Sequence, residues 1–107
     1  MYENLLQTEY RRQCADKRFA DGEMLDLRIL AYYTIPKSAT KTKRQLMEAL
    51  ELRPTKKPDM DNIVKIVSDA LNGVAFRDDS QIVDCQVRKF YSTTPRVEVA
   101  LLNAKTM

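Results

Sequence analysis

One segment of the sequence, from about residue 60 to 73, has the apolar spacing of an amphipathic helix along its whole length. Apolar residues that recur at three- and four-residue steps lie on one face of a helix. Those of this segment are Met60, Ile63, Val64, Val67, Ala70, Leu71 and Val74. Asp59 is suited to the N-cap, because its carboxylate can accept from free backbone N–H groups, and Gly73 to the C-terminal cap. We therefore predict a helix here, with one apolar and one polar face.

Five further segments carry a regular pattern: helices at 2–18 and 41–51, and strands at 24–33, 81–91 and 96–102. Residues 92–95 are expected to join the last two strands as a hairpin. Met47 and Met60 are predicted to lie in the core, and Ser38 or Thr40 to cap the second helix. The pattern predicts an α+β fold, in which a small mixed, mainly antiparallel sheet has helices packed on one side.

Length and composition limit the classes of protein that this chain can belong to. At 107 residues, without repeats or linker-like stretches, it is expected to form one domain over residues 1–107. It lacks the ~20-residue apolar run of a membrane span, and residues 1–15 are too polar for a signal peptide, which indicates a cytoplasmic protein without a membrane partner. Because there is no histidine, carboxylates would have to hold any metal. Cys14 and Cys85 are far apart and are predicted to be ordinary buried thiols.

The net charge of +3 is unevenly distributed along the chain. Residues 37–57 contain seven basic and two acidic residues, whereas the segments on either side are slightly acidic. A basic run is often only a solvated surface, but this one directly precedes an acidic cluster, which favours contact with the phosphates of a nucleic acid. The candidate DNA-binding residues are Lys37, Lys41, Lys43, Arg44, Arg53, Lys56 and Lys57.

The acidic cluster consists of Asp59, Asp61 and the pair Asp78 and Asp79. Taken singly, each has an ordinary structural explanation as a helix cap or a turn residue. Together, next to a basic segment, they suit an oxygen-ligated divalent ion such as Mg²⁺ beside a phosphate backbone. Asp79 can return to Asp59 only if the following strand runs antiparallel beside the helix or the turn doubles back. Lys65 either reaches the same space or forms an ion pair with Asp61 or another aspartate one turn later.

Three blocks of the second half, residues 57–65, 69–73 and 78–83, resemble the RusA family of Holliday junction resolvases, which are crossover junction endodeoxyribonucleases. The shared pattern is D-x-D-N-x-x-K, then D-A-L-N-G, then D-D-x-Q-[IV], and the closing residues 95–99 also fit. Three blocks in order and with fitting spacing are a more specific signal than a lone D-x-D.

The resemblance implies a hydrolase: a structure-selective endodeoxyribonuclease that uses Mg²⁺, with Mn²⁺ as a substitute. Such enzymes act as homodimers on four-way junctions in DNA recombination and repair, and are common in bacteria and their prophages. The residues that it implicates are Asp59, Asp61 and Asp79 as metal-binding catalytic carboxylates, Lys65 as the essential lysine, and Asp69 and Asp78 in supporting positions. Family members usually begin with a strand before the first helix, so this sequence is expected to lack that strand.

Two other interpretations remain open at this point. The first is a non-catalytic protein that binds branched DNA and whose carboxylates are structural. The second is a small interaction domain whose basic helix only keeps it in solution. The second predicts no salt-dependent binding to DNA, whereas phosphate contacts weaken steeply as the salt concentration rises.

Overall fold

The structure, a computed structural model, describes residues 18–104. The helix predicted at 2–18 lies almost entirely outside these residues. Cys14 lies wholly outside them. The elements are β1 (Leu25–Thr34), α1 (Lys41–Glu48), α2 (Met60–Leu71), a short 3₁₀ turn (Asp79–Gln81), β2 (Ile82–Ser92) and β3 (Arg96–Asn103). The predicted boundaries of the strands and of the second and third helices agree with these to within about three residues.

Within residues 18–104, the sheet has three strands in the order β2-β1-β3. β1 pairs in parallel with β2 and antiparallel with β3, so the expected α+β class with a mixed sheet is confirmed. The predicted hairpin is wrong, because β2 and β3 do not pair with each other and instead flank β1. β1 takes the central place because it is the most apolar of the three strands, with Leu25 and Leu27 fully buried, and only a central strand has both edges covered.

The main core lies between one face of the sheet and α2. Leu27 and Ile29 of β1 pack there with Ile63 and Val67 of α2, and Phe76 in the following turn is fully buried. Burial of one stripe of α2 confirms its predicted amphipathic character. The prediction for Met60 is wrong: this first residue of α2 is 44% exposed and does not belong to the core cluster.

α1 covers a smaller apolar cluster. Met47, buried as predicted, packs with Ile35 and Tyr91 at the end of the sheet. The helix begins at its N-cap Thr40, whose hydroxyl accepts from the backbone N–H of Lys43. It ends before the predicted boundary because Leu50 adopts a left-handed backbone conformation, with φ 65°.

α2 runs antiparallel to β1 and β2. The hydroxyl of Tyr33, near the end of β1, donates to the carbonyl of Pro58, just before α2 begins. At the other end, the chain leaves α2 and reaches Gln81, whose amide donates to the carbonyls of Ala20 and Glu23, just before β1 begins. No helix within residues 18–104 is both long and apolar enough to cross a membrane.

Candidate functional site

An open cleft of about 640 Å³ lies between α2 and the edge strand β2. One wall is the polar side of α2, and the opposite wall is formed by β2 and the 3₁₀ turn. Three carboxylates and one lysine line the cleft: Asp61, Lys65, Asp69 and Asp79. The structure thus brings four of the predicted site residues to one concave surface, and this arrangement depends on α2 and β2 lying side by side.

Asp59 lies at the edge of this arrangement and does not line the cleft. It is the N-cap of α2, and its Oδ1 accepts from the backbone N–H of Asn62 at 3.1 Å. Asp79 lies near the opposite end of a helix that is about 18 Å long. The strand does run antiparallel beside the helix, but Asp79 precedes that strand, so Asp59 and Asp79 are not adjacent.

Lys65 is exposed on α2, between the two aspartates of its own helix face. The ion pair that its spacing allows with Asp61 or Asp69 is not formed: within residues 18–104, no nitrogen–oxygen contact within 4.0 Å joins Lys65 to a carboxylate. Its ammonium group is therefore available to an anion that enters the cleft.

Asp78 supports the 3₁₀ turn and does not line the cleft. Its Oδ2 accepts from the hydroxyl of Ser80 at 2.6 Å. This hydrogen bond is the main reason that the pKa of Asp78 lies below its ordinary value, and the partial desolvation of the carboxylate opposes the shift. The Asp78 side chain is thus used within the turn that carries Asp79.

Gln81 is buried and stabilises this turn. Its residue type and position in the sequence did not predict this role. Its Oε1 accepts from the backbone N–H groups of Arg77 and Asp78, at 3.1 and 3.2 Å. Its Nε2 donates to the carbonyls of Ala20 and Glu23, at 3.0 and 3.1 Å. The side chain therefore joins the turn that carries Asp79 to the segment before β1. Its place in the D-D-x-Q pattern indicated no role, because the role depends on tertiary contacts.

The basic segment lies at the end of the sheet where α2 begins. Six of its seven cations are exposed and Arg44 is half-buried. Arg53 is held against the sheet, since its Nε donates to the carbonyl of Lys89 at 2.8 Å and its guanidinium lies 4.5 Å from the ring centroid of Phe90. The cations and the Asp61 end of the cleft are therefore neighbours, as their order in the sequence suggested.

The oxygen donors that the cleft offers to Mg²⁺ are the carboxylates that line it. Within residues 18–104, no three Asp, Glu or Cys side chains lie close enough together to hold a metal ion. Mg²⁺, however, keeps several waters and is usually held by one or two carboxylates together with substrate phosphates. Exposed carboxylates that share a cleft and are not paired with described cations fit that smaller requirement. The carboxylates of the cleft therefore fit a Mg²⁺ site in which substrate phosphates supply some of the ligands.

Cys85 contributes a thiol to the β2 wall of the cleft. It is a free cysteine and is exposed, which contradicts the prediction of a buried side chain. Desolvation, followed by the negative charge of Asp26, raises the pKa of the thiol above its ordinary value. This shift disfavours the reactive thiolate form of Cys85.

An open cleft lined by carboxylates beside a basic segment is an arrangement that suits contact with phosphate groups and their cations. The chain belongs to the RusA endodeoxyribonuclease family, which it matches over residues 1–102. It is also similar to a protein of Bacillus subtilis (strain 168) described as uncharacterized protein YqaN, with 51% identity over 75 residues. That alignment covers 68% of this chain and 53% of the relative, so the chain spans about half the length of this relative. No solved structure matches the chain.

Proposed function

We propose that this protein is a Mg²⁺-dependent, structure-selective endodeoxyribonuclease that resolves four-way DNA junctions during recombination or repair. Family membership supports the nuclease class. The observation that supports the finer proposal is the open cleft that Asp61, Lys65, Asp69 and Asp79 line, beside a basic segment. The proposed location is the cytoplasm, and a prophage origin is compatible with the family.

Asp61 and Asp79 would hold Mg²⁺ in the cleft. Asp59, which is not adjacent to Asp79, would contribute only at the Asp61 end of the cleft, through Oδ2, since its Oδ1 is used in capping α2. When bound, Mg²⁺ supplies a Lewis acid for the phosphoryl oxygen and lowers the pKa of bound water. With no histidine in the chain, carboxylates are the hard oxygen donors suited to this ion.

The chain's own residues would bind and orient the scissile phosphate. The ammonium group of Lys65, which is not paired with a described carboxylate, would contact a non-bridging phosphate oxygen and stabilise the negative charge that develops on it. The exposed lysines of the basic segment would hold the flanking phosphates, which makes binding dependent on salt concentration. Asp69 and Asp78 would support this arrangement from the end of α2 and from the turn.

We further propose that the active form is a homodimer. A four-way junction has symmetry-related strands that must be cut in pairs, and a two-fold dimer presents two identical clefts. A measurement of mass in solution, with and without junction DNA, tests this part independently of cleavage. A monomer in both conditions would contradict it.

The test of the nuclease proposal is cleavage of a synthetic four-way junction in the presence of Mg²⁺. Asp61→Asn should lower the cleavage rate by about 100-fold or more, because an amide is a poor ligand for Mg²⁺. The matched control is Asp84→Asn, an exposed aspartate of β2 that does not line the cleft. It should retain full activity.

The competing function is a non-catalytic protein that binds branched DNA. It is favoured by one observation, that residues 18–104 do not contain a preformed set of three metal-ligating side chains. Tight, salt-dependent junction binding without cleavage in Mg²⁺ or Mn²⁺ would support that function. Equal cleavage by the wild type and Asp61→Asn would remove Asp61 from the mechanism.

A further inference from the structure

Lys89 is a buried lysine that the proposed mechanism does not use. It lies on the face of β2 that packs towards the helices, and its side chain is 8% exposed. A buried ammonium group is unfavourable unless other groups compensate for lost hydration. Within residues 18–104, no carboxylate lies within ion-pair distance of Lys89. Among the described residues, the groups that compensate it are therefore neutral.

Two such groups hold the ammonium of Lys89. Its Nζ donates to the backbone carbonyl of Lys56 at 2.8 Å and lies 5.1 Å from the ring centroid of Tyr33. A hydrogen bond from a charged donor and a cation–π contact are both stronger when the groups are shielded from water. The side chain is thus a specific link between β2 and the residues that precede α2.

The link is part of a larger connection between the sheet and the basic loop, residues 52–58. The carbonyl of Lys89 accepts from Nε of Arg53, so both its backbone and its side chain contact this loop. The hydroxyl of Tyr33 donates to the carbonyl of Pro58, one residue before Asp59. The basic loop is therefore bonded to the sheet at three points along its length.

We propose that Lys89 is a positioning residue, whose buried ammonium fixes the basic loop so that Lys56, Lys57 and the start of α2 face the DNA backbone together. This inference rests on the proposed function. Lys89 itself is too buried to contact a phosphate. It acts through the loop: a fixed loop loses less conformational freedom when DNA binds, which improves affinity.

The experiment compares the wild-type 107-residue chain with Lys89→Met, which keeps the length of the side chain and removes its charge and its donors. Arg88→Met is the matched control, because it removes one positive charge from the adjacent residue, which is exposed on the other face of β2. The measurements are cleavage of a four-way junction in Mg²⁺ and backbone amide hydrogen exchange of residues 52–58 in the free protein.

We expect Lys89→Met to raise KM for the junction about tenfold with little change in kcat, and to accelerate exchange in the basic loop. A hydrogen bond from a charged group has about this effect on an equilibrium. Lys89→Arg should recover part of both losses, since it restores a charged donor. Arg88→Met should change KM less than threefold and leave the exchange unchanged.

Three results would overturn the proposal: an unchanged KM for folded Lys89→Met, an equal rise for Arg88→Met, or a raised KM without faster exchange in the loop. If Lys89→Met does not fold by circular dichroism, Lys89→Gln, which keeps a neutral donor, is measured under the same criteria. A wild type that neither binds nor cuts the junction would refute the proposed function. In that case the exchange data would still decide whether Lys89 holds the loop.

Discussion

The two sides of α2 differ in chemistry although they belong to one helix. Towards β2, the helix faces the open cleft that contains Asp61, Lys65 and Asp79. Towards β3, it faces a groove of about 390 Å³ whose lining includes Ile66 and Val97. No carboxylate occurs among the described residues that line this groove.

This difference separates stability from function within twelve residues. The apolar positions of α2 hold the helix on the sheet, and their spacing leaves a polar strip on the β2 side. Its exposed members, Asp61, Lys65 and Asp69, take no part in the core. Charged groups on that strip can then be selected for chemistry, because the fold does not depend on them. Substitutions on the two sides should therefore have separable effects.

The largest effect on stability is expected from the apolar side. Ile63, 5% exposed, contacts the sheet core and also lines the groove. Ile63→Ala should lower the free energy of unfolding by about 3 kcal/mol, through lost burial and the cavity left behind. Urea denaturation measures this loss. Asp61→Asn, on the opposite side, should change the same quantity by less than about 1 kcal/mol. Similar losses for the two variants would remove the distinction between the sides.

A smaller loss is expected where the polar side depends on a buried support. Gln81→Met should lower the free energy of unfolding by about 2 kcal/mol, because it removes four hydrogen bonds that the Gln81 side chain makes to backbone groups. Junction cleavage should fall as well, since Asp79 is carried by the same turn. Gln86→Met, at an exposed glutamine of β2, is the control and should change neither quantity.

The smallest expected effect is the pH dependence of stability that Asp78 contributes in the turn before β2. A carboxylate with a lowered pKa in the folded protein stabilises it above the ordinary pKa, and the contribution is lost as the pH falls through the lowered value. Asp78→Asn should therefore lower Tm slightly at pH 7, and the difference from wild type should shrink below about pH 4. Thermal unfolding at several pH values checks this. A difference that grows in acid would have the wrong sign for the Ser80 hydrogen bond.

The sequence predicted the local elements well because their signals are local. The spacing of α2 and its N-cap Asp59 are both readable from neighbouring residues, and both are confirmed. The partner of each strand was not readable in the same way. A three-residue connection after β2 favours a hairpin, yet these residues cross the end of β1. The greater apolar content of β1 was the available signal for its central position.

The candidate site was predictable in part for the same reason. Asp61 and Lys65 share a helix face at a spacing that the sequence shows directly. Gln81 and Lys89 could not be assigned from the sequence, because their roles depend on carbonyl groups more than thirty residues away. One feature of the sequence did indicate an unusual lysine: Lys89 alternates with Val87 and Tyr91 on the inward-facing side of β2.

The central position of β1 has a consequence for how the chain folds. Leu25 pairs with Ile82 on one side and with Asn103 on the other, so both ladders join residues far apart along the chain. Such pairings form only after large loops have closed, which slows folding relative to chains of similar size with local contacts. Loss of β3 would also expose one full edge of the most apolar strand, and an exposed apolar edge promotes aggregation. β3 thus protects β1.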